Sequence, residues 1–406
     1  MALDPHTLEE FIGSVARFVR QRLIPVEALV AREDRIPDEI VAEMRRLGLF
    51  GMTLPEQYGG LELNASEEVR TVMELCYAAP TFRGYVGANN SLGGRAILWG
   101  GTDAQRSHYL PLIASGKLLT AFALTEPESG SDAAAVRTRA WRRSDGCWVI
   151  DGRKRFITGA SEADVINVVA RTDPDSSRGQ GVSIFLVERG TPGMFQGKPN
   201  LKMGQQGTHT AELQFNQCVV PPDALLGEEG RGFKLTMRTI DRGRLHIGAA
   251  SVGLARRLID ESVRYGMERR QFGRPIVDFQ LVQALLADSE AEYSAAKSLV
   301  LHTAAACDAG EDISMDAACC KMFASEMVGR VADRAVQVLG GAGYIQDSAV
   351  ERLYRDARVF RIYEGTTQIQ QITIAKHMMR ATRGVAPAAT RVPPKAMGSS
   401  TVSGRL

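Results

Sequence analysis

The chain has 406 residues, more than one ordinary hydrophobic core accommodates, so two or three domains are expected. Hydrophobic residues make up 44% and charged residues 24%, while a net charge of +2 gives no long-range field to recruit nucleic acid or an anionic membrane. Six scattered cysteines without C-x-x-C spacing, and six dispersed histidines, argue against a disulfide framework and a metal centre.

No segment has the unbroken apolar length of a membrane span. Met1 to Leu23 carries Asp4, Glu9 and Glu10 and lacks an apolar h-region, so it reads as an amphipathic helix and the default expectation is a cytoplasmic protein. Residues 1–120 form a first, helical region. Leu8, Phe11, Val15 and Phe18 recur at helical spacing, Asp38 to Leu47 repeats the pattern, and helices are expected on both sides of Asn89-Asn90.

Residues 121–232 change texture. Trp148-Val-Ile, Val165-Ile-Asn-Val-Val and Val182-Ser-Ile-Phe-Leu-Val187 are short β-branched runs between Gly, Asp and Pro turns, and Ala211-Glu-Leu-Gln-Phe215 alternates as a half-exposed strand does. Strands that do not alternate with helices predict a small barrel or sandwich and not a doubly wound parallel sheet.

Over residues 233–380 the helical period returns. Val282, Leu286, Ser289, Tyr293, Ala296 and Val300 step by fours and threes, as do Cys320, Ala324, Met327 and Val331, which predicts long antiparallel helices in a bundle. Residues 381–406, rich in Ala, Pro, Ser and Arg and free of acids, are expected to be a flexible tail. The fold class is mainly α with a central β-domain.

Five segments carry candidate chemistry. Thr125-Glu-Pro-Glu-Ser-Gly-Ser-Asp132 is a turn with hydroxyl and N–H donors for a ligand edge or a phosphate. In Arg153-Lys-Arg-Phe-Ile-Thr-Gly159, Phe156 and Thr158 share one strand face; a planar ligand, or a core Phe beside a surface Thr, gives the same pattern. Asp241-Arg-Gly-Arg244 is a helical acid–base pair that surface ion pairing also explains. Arg269-Arg-Gln-Phe-Gly-Arg-Pro-Ile276 joins two helices, and Gln337-Val-Leu-Gly-Gly-Ala-Gly-Tyr344 is a glycine-rich helix exit.

A sixth stretch, Tyr363-Glu-Gly-Thr-Thr-Gln-Ile-Gln370, sets a carboxylate before a helix-interrupting Gly-Thr-Thr. If that carboxylate is buried, desolvation raises its pKa into the range of a general base; a Glu capping a helix start is the alternative.

Together with Pro55-Glu-Gln-Tyr-Gly-Gly60 and Phe122-Ala-Leu-Thr125, these motifs stand in the order found in the acyl-CoA dehydrogenase family, which the chain resembles from about residue 5 to 380. The resemblance implies a helical N-domain, a β middle domain and a C-terminal four-helix bundle, with FAD between the last two. Phe122, Leu124, Thr125, Gly130, Ser131, Phe156 and Thr158 would line the flavin, joined by Thr366 and Gln368. Arg269, Gln271, Phe272, Gln280, Gln337, Gly340 and Gly341 would bind FAD across a subunit interface, in a dimer assembled further into a tetramer. Ser131, Asp241 and Arg244 would hold the CoA portion, with Tyr363 and Gly365 beside the substrate.

By the same resemblance, Glu364 removes the α-proton while the β-hydride passes to flavin N5, in fatty-acid β-oxidation chemistry. The Glu364 N–H and a ribityl hydroxyl stabilise the thioester oxygen, and an electron-transfer flavoprotein takes the electrons. Position 156 is Phe where many members carry Trp. Some branched-chain members place the base on the helix of Asp241–Arg244; Gly243 and Glu364 here put it at 364.

Pro80-Thr-Phe-Arg-Gly-Tyr-Val-Gly-Ala-Asn-Asn90 resembles the segment with which glutaryl-CoA dehydrogenases hold a distal carboxylate, so Arg83 is either that ligand or an arginine at the surface or in an ion pair. A decarboxylating glutaryl-type enzyme and an acyl-CoA oxidase are the neighbouring enzymatic readings. A flavin-bearing, alkylation-response-type DNA-binding protein is the reading from another class, and the charge of +2 weighs against it.

Overall fold

A computed structural model describes residues 4–177 and 179–382. The N-terminal region comprises α1 (Pro5–Phe18), a π-helical turn (Val19–Leu23), α2 (Ile24–Glu33), α3 (Asp38–Arg46), α4 (Ala65–Leu75), α5 (Pro80–Asn90), α6 (Gly93–Gly100) and α7 (Asp103–Ala114). Asp4 caps α1 by accepting from the N–H groups of His6 and Thr7, and Asn64 with Glu67 forms a capping box on α4. The expected stripe is the one that packs, with Leu8, Val15 and Phe18 buried and Phe11 lying against the same core. The Asn89 side chain ends the α5 segment by docking the next strand: Oδ1 accepts from the Thr120 N–H (2.9 Å) and Nδ2 donates to the Leu118 carbonyl (3.0 Å).

The middle region holds β1 (Thr120–Ala123), β2 (Arg139–Arg142), β3 (Trp148–Thr158), β4 (Val165–Arg171), β5 (Val182–Glu188), β6 (Met194–Gln196), β7 (Thr210–Val220) and β8 (Leu225–Leu226). Their order is β6-β7-β3-β2-β4-β5-β8, with β1 parallel to β4. Strict alternation on β4 feeds two cores. Ile166, Val168 and Ala170 meet Trp148, Phe185 and Phe215, while Val165 and Val169 meet Ala96, Ile97, Leu110 and Ile113 of α6 and α7.

Of the two expected forms, the barrel is not adopted: among the described residues the path runs open from β6 to β8. The end strands β6 and β8 do not pair with each other there, and the short β2 pairs along its length with β3 but meets β4 only at Arg139↔Arg171.

The C-terminal region is α8 (Gly232–Glu268), a hairpin of β9 (Arg270–Gln271) and β10 (Arg274–Pro275), α9 (Gln280–Asp308), α10 (Ser314–Leu339), α11 (Gly341–Tyr344), α12 (Ala349–Ala357) and α13 (Thr367–Thr382). In the four-helix bundle α10 packs against α8, α9 and α13, burying Cys320, Ala324, Met327 and Val331 as the spacing predicts. The tail expected at 381–406 lies outside the described residues, except that 381 and 382 finish α13. No described helix is long and apolar enough to cross a membrane.

The first and last regions are not independent. Phe18, Phe50 and Phe82 share one core with Leu245, Leu254 and Leu258 of α8. At that seam the buried Glu68 carboxylate of α4 accepts from Arg95 of α6 (2.6 Å), Arg242 of α8 (2.8 Å) and His246 of α8 (2.9 Å). Burial alone would raise its pKa, but the two arginines and His246 outweigh that and hold it well below the carboxylate range. Glu68→Gln would leave Arg95 and Arg242 buried without their counter-charge, with an expected loss of about 3–5 kcal/mol. A thermal melting midpoint within about one degree of the parent's would rule that dependence out.

Candidate active site

After a 3-10 turn at Arg358–Arg361 the chain reaches Glu364 at φ +54 and Gly365 at φ +86, then enters α13. A glutamate in the left-handed region costs of order 1 kcal/mol or more and persists only where its surroundings hold it. Here they do. Gln370 Nε2 donates to the carbonyls of Glu364 (3.0 Å) and Gly365 (2.9 Å), and Lys321 Nζ donates to the Gly365 carbonyl (2.7 Å). Thr367 Oγ1 donates to Glu326 (2.6 Å), and the Tyr363 ring stacks on Phe360 with centroids 5.8 Å apart. Among the described residues the Glu364 backbone N–H donates to no acceptor.

The Glu364 carboxylate lies against Gly243 of α8, where an added Cβ would come within 2.8 Å of Oε2. Its pKa is raised: burial pushes it up, and Arg83 of α5, Arg244 of α8 and Lys321 of α10 pull it only part of the way back. A capping glutamate would accept from N–H groups of its helix N-terminus, and among the described residues none donates to the half-buried Glu364 carboxylate, so the fold does not use it as a cap.

Arg244 is buried and pairs with half-buried Asp241 (2.8 Å), which Ser314 Oγ also approaches (3.3 Å); this corrects the surface-pair alternative for that motif. Burial raises the Asp241 pKa against the pull of Arg244. Arg83 is only 6% exposed. Its Nη1 stands 3.5 Å from the Tyr363 hydroxyl, its Nε is buried without a partner, and no described carboxylate lies within ion-pair distance. An arginine at the surface or in an ion pair is therefore not what the fold contains. Glu364, Tyr363, Gly365, Arg83, Asp241 and Arg244 thus come together, whereas Ser131 stands exposed on the 125–132 loop.

That loop and β3 make a second surface. Phe156 sits at φ +58 inside a register shift between Lys154 and Ile157, so Arg155 and Phe156 both face outward and Thr158 rejoins their side. Phe156 is 58% exposed, which overturns the core-Phe alternative. Phe122 is buried at the end of β1, Leu124 and Thr125 are half-buried, and a Cβ on Gly130 would meet nothing within 4 Å. Half-buried Thr158 also lines a small cleft between α5 and the sheet, with Gly84, Tyr85, Thr120 and His209.

Beneath the surface, Lys154 Nζ donates to the Leu124 carbonyl (3.1 Å) and to Glu126 (2.8 Å), and Glu126 accepts from the N–H groups of Arg137 (2.7 Å) and Thr138 (2.9 Å). An outward phenyl on a fixed bulge, beside a hydroxyl and an unobstructed glycine, suits a planar ring system such as a flavin.

Arg269, Gln271, Gln280, Gln337, Gly340 and Gly341 are all exposed, and Phe272 is 93% exposed at φ +51. At ~1.5 Å of rise per residue, Arg269 lies about 37 Å along α8 from Arg244, and Gly340 about 28 Å along α10 from Lys321. One chain therefore does not bring them to Glu364. Thr366 Oγ1 accepts from the Ile369 N–H (3.3 Å), and Gln368 is exposed on the first turn of α13.

Sequence reasoning missed Lys154, Glu126, Lys321 and Gln370. Lys154 and Glu126 stood inside the quoted motifs, and Gln370 closed the last one. Lys321 carried no signal, since a lysine next to an apolar helical stripe ordinarily points to water.

Three family models match the chain in succession: "Acyl-CoA dehydrogenase, N-terminal domain" over residues 5–117, "middle domain" over 121–218 and "C-terminal domain" over 230–379. An acyl-CoA dehydrogenase of Bacillus subtilis is 39% identical over 368 residues, covering 91% of this chain and 97% of that one. A 3-(aryl)acrylate reductase of Clostridium sporogenes is 40% identical over 372 residues, covering 91% and 98%. The solved butyryl-CoA dehydrogenase of Megasphaera elsdenii matches with a TM-score of 0.89 at 34% identity, covering 94% of this chain and 100% of that one. The chain belongs to the acyl-CoA dehydrogenase family and is an oxidoreductase.

Proposed function

We propose that the chain is an FAD-dependent acyl-CoA dehydrogenase that converts an acyl-CoA thioester to the trans-2-enoyl-CoA with Glu364 as its base. The observation that carries this reading is the Glu364 carboxylate itself: raised in pKa by burial, fixed on a left-handed turn, and faced by three cations and a glycine. A thioester α-carbon is a weak acid, so its deprotonation needs a basic carboxylate and a donor for the developing enolate oxygen. Glu364 supplies the first with its side chain and the second with its uncommitted N–H. Gly243 makes room for the carboxylate itself, since a Cβ there would come within 2.8 Å of Oε2, and Arg244 with Asp241 gives the CoA portion a polar anchor.

The Phe156, Thr158, Phe122, Leu124, Thr125 and Gly130 surface would hold FAD, with Ser131 at its rim and Thr366 and Gln368 near the base. FAD bound there supplies the hydride acceptor for the substrate β-carbon. Arg269, Gln271, Phe272, Gln280, Gln337, Gly340 and Gly341, too far along their helices to serve their own chain, would reach the cofactor of another copy, which makes the working form a homo-oligomer, assembled as a dimer of dimers. Electron-transfer flavoprotein is the proposed partner, and the cytoplasm the proposed location.

A second reading of the substrate rests on Arg83. A buried guanidinium without a carboxylate partner among the described residues leaves donors for an acyl group that carries its own distal carboxylate, as in glutaryl-CoA, whose oxidation would end in decarboxylation.

Anaerobic bleaching of the flavin with a panel of straight, branched and dicarboxylic acyl-CoAs tests the proposal, which fails if none bleaches it. Glu364→Gln is expected to keep FAD and acyl-CoA binding while slowing reduction about a hundred- to ten-thousand-fold; reduction at the parent's rate would assign the base elsewhere. Because the base must be ionised and its pKa lies above the ordinary glutamate value of 4.5, the parent's reduction rate should climb with pH through a midpoint above 4.5 and then level. A midpoint at or below that value would contradict the buried carboxylate. For Arg83→Ala, the selectivity for glutaryl-CoA over butyryl-CoA should drop by about ten- to a hundredfold; an unchanged ratio would remove the distal carboxylate.

A further inference from the structure

Lys321 is 0% exposed on the inner face of α10. A buried ammonium ordinarily has a carboxylate in contact, yet no ion pair within 4.0 Å forms at Lys321 among the described residues. Its one bond runs from Nζ to the Gly365 carbonyl, at 2.7 Å. The anion that most favours its charged form is Glu364, one residue before the carbonyl it holds. Burial still pushes its pKa down to about 8, and Arg244 adds to that fall. Desolvating a charge this incompletely costs stability, so its placement calls for another reason.

We propose that Lys321 is a positioning residue for Glu364: from inside the bundle it clamps the left-handed Glu364–Gly365 turn through the Gly365 carbonyl and presents a positive charge to the back of the carboxylate. This rests on the reading of Glu364 as the base. Two donors converge on the Gly365 carbonyl, Lys321 Nζ from α10 and Gln370 Nε2 from α13, so the turn is gripped from both helices. Of the two only Lys321 carries charge. The other charged or titratable groups facing the site are Arg83 from α5, Arg244 and Asp241 from α8, Glu326 from α10 and Tyr363 on the loop itself. Arg83 and Arg244 come from α5 and α8, whereas Lys321 comes from α10 and bonds the backbone of the turn itself.

The clamp and the charge separate in three variants of the FAD-loaded protein, followed by single-turnover bleaching across pH with the panel member that reduces the parent fastest. Lys321→Arg keeps donor and charge, Lys321→Gln keeps a donor without charge, and Lys321→Met keeps neither. Losing the charge leaves Glu364 harder to ionise, so the rising limb of the profile should move about one pH unit upward in the Gln and Met variants and stay in place in the Arg variant. Met should also lower the plateau about tenfold relative to Gln, through the lost clamp. Flavin content and the melting midpoint of each variant identify any that misfolds; because Gln and Met share the predicted limb shift, either one alone decides it. A limb that stays in place in a folded Gln or Met variant overturns the inference while the base reading stands. Undiminished reduction by Glu364→Gln overturns both.

Discussion

The Glu364 carboxylate is half-buried at a point where three cations converge from three separate helices: Arg83 on α5, Arg244 on α8 and Lys321 on α10. A carboxylate moved out of water without compensation would hold its proton and be useless as a base. With full compensation in contact ion pairs it would be too weak a base. The cations sit close enough to pull the pKa back in part and too far to form a pair, since no ion pair to Glu364 lies within 4.0 Å among the described residues. That intermediate spacing depends on where three helices stand relative to one another, and so on the whole packing of the two helical regions.

The Glu68 cluster is what fixes α4, α6 and α8 at that seam. Its arginines come from both regions, and Arg242 lies between Asp241 and Gly243, one residue from the group that faces Glu364. One turn of α8 thus sends Arg242 to the Glu68 network on one side and Gly243 and Arg244 toward Glu364 on the other. Burial and the nearby Arg83 push His246 down to about 4, so it completes the network as a neutral donor near pH 7 and adds no third positive charge.

The two halves of the site repeat one device. On β3, Phe156 is held in the left-handed region beside buried Lys154, which bonds the Leu124 carbonyl; on the loop before α13, Glu364 is held in the left-handed region beside buried Lys321, which bonds the Gly365 carbonyl. In each case a lysine inside the protein grips backbone so that the functional side chain is aimed by its own strained φ and does not have to order itself on binding. Lys154 has a counter-ion in Glu126, whereas among the described residues Lys321 has none in contact and Glu364 is the carboxylate that most favours its charge.

The order of the elements was legible in the sequence because periodicity needs only local information: the apolar residues Ala211, Leu213 and Phe215 and the α10 series from Cys320 to Val331 are buried where their spacing places them, as is the α1 stripe apart from half-buried Phe11. The break in the helix at Glu364–Gly365 was legible as well, because Gly-Thr-Thr interrupts or restarts a helix locally. Three things were decided only in three dimensions. The sheet stays open because its end strands β6 and β8 do not meet among the described residues, a matter of how strands distant in sequence are placed. Arg83 is buried without an ion pair because α5 packs over the Tyr363 loop, and a sequence does not say which side of a helix another segment covers. Lys321 lies in the core because α13 and its leading turn close over α10 and offer it a carbonyl; burial of a charge is a property of neighbours, and those neighbours come from more than forty residues away.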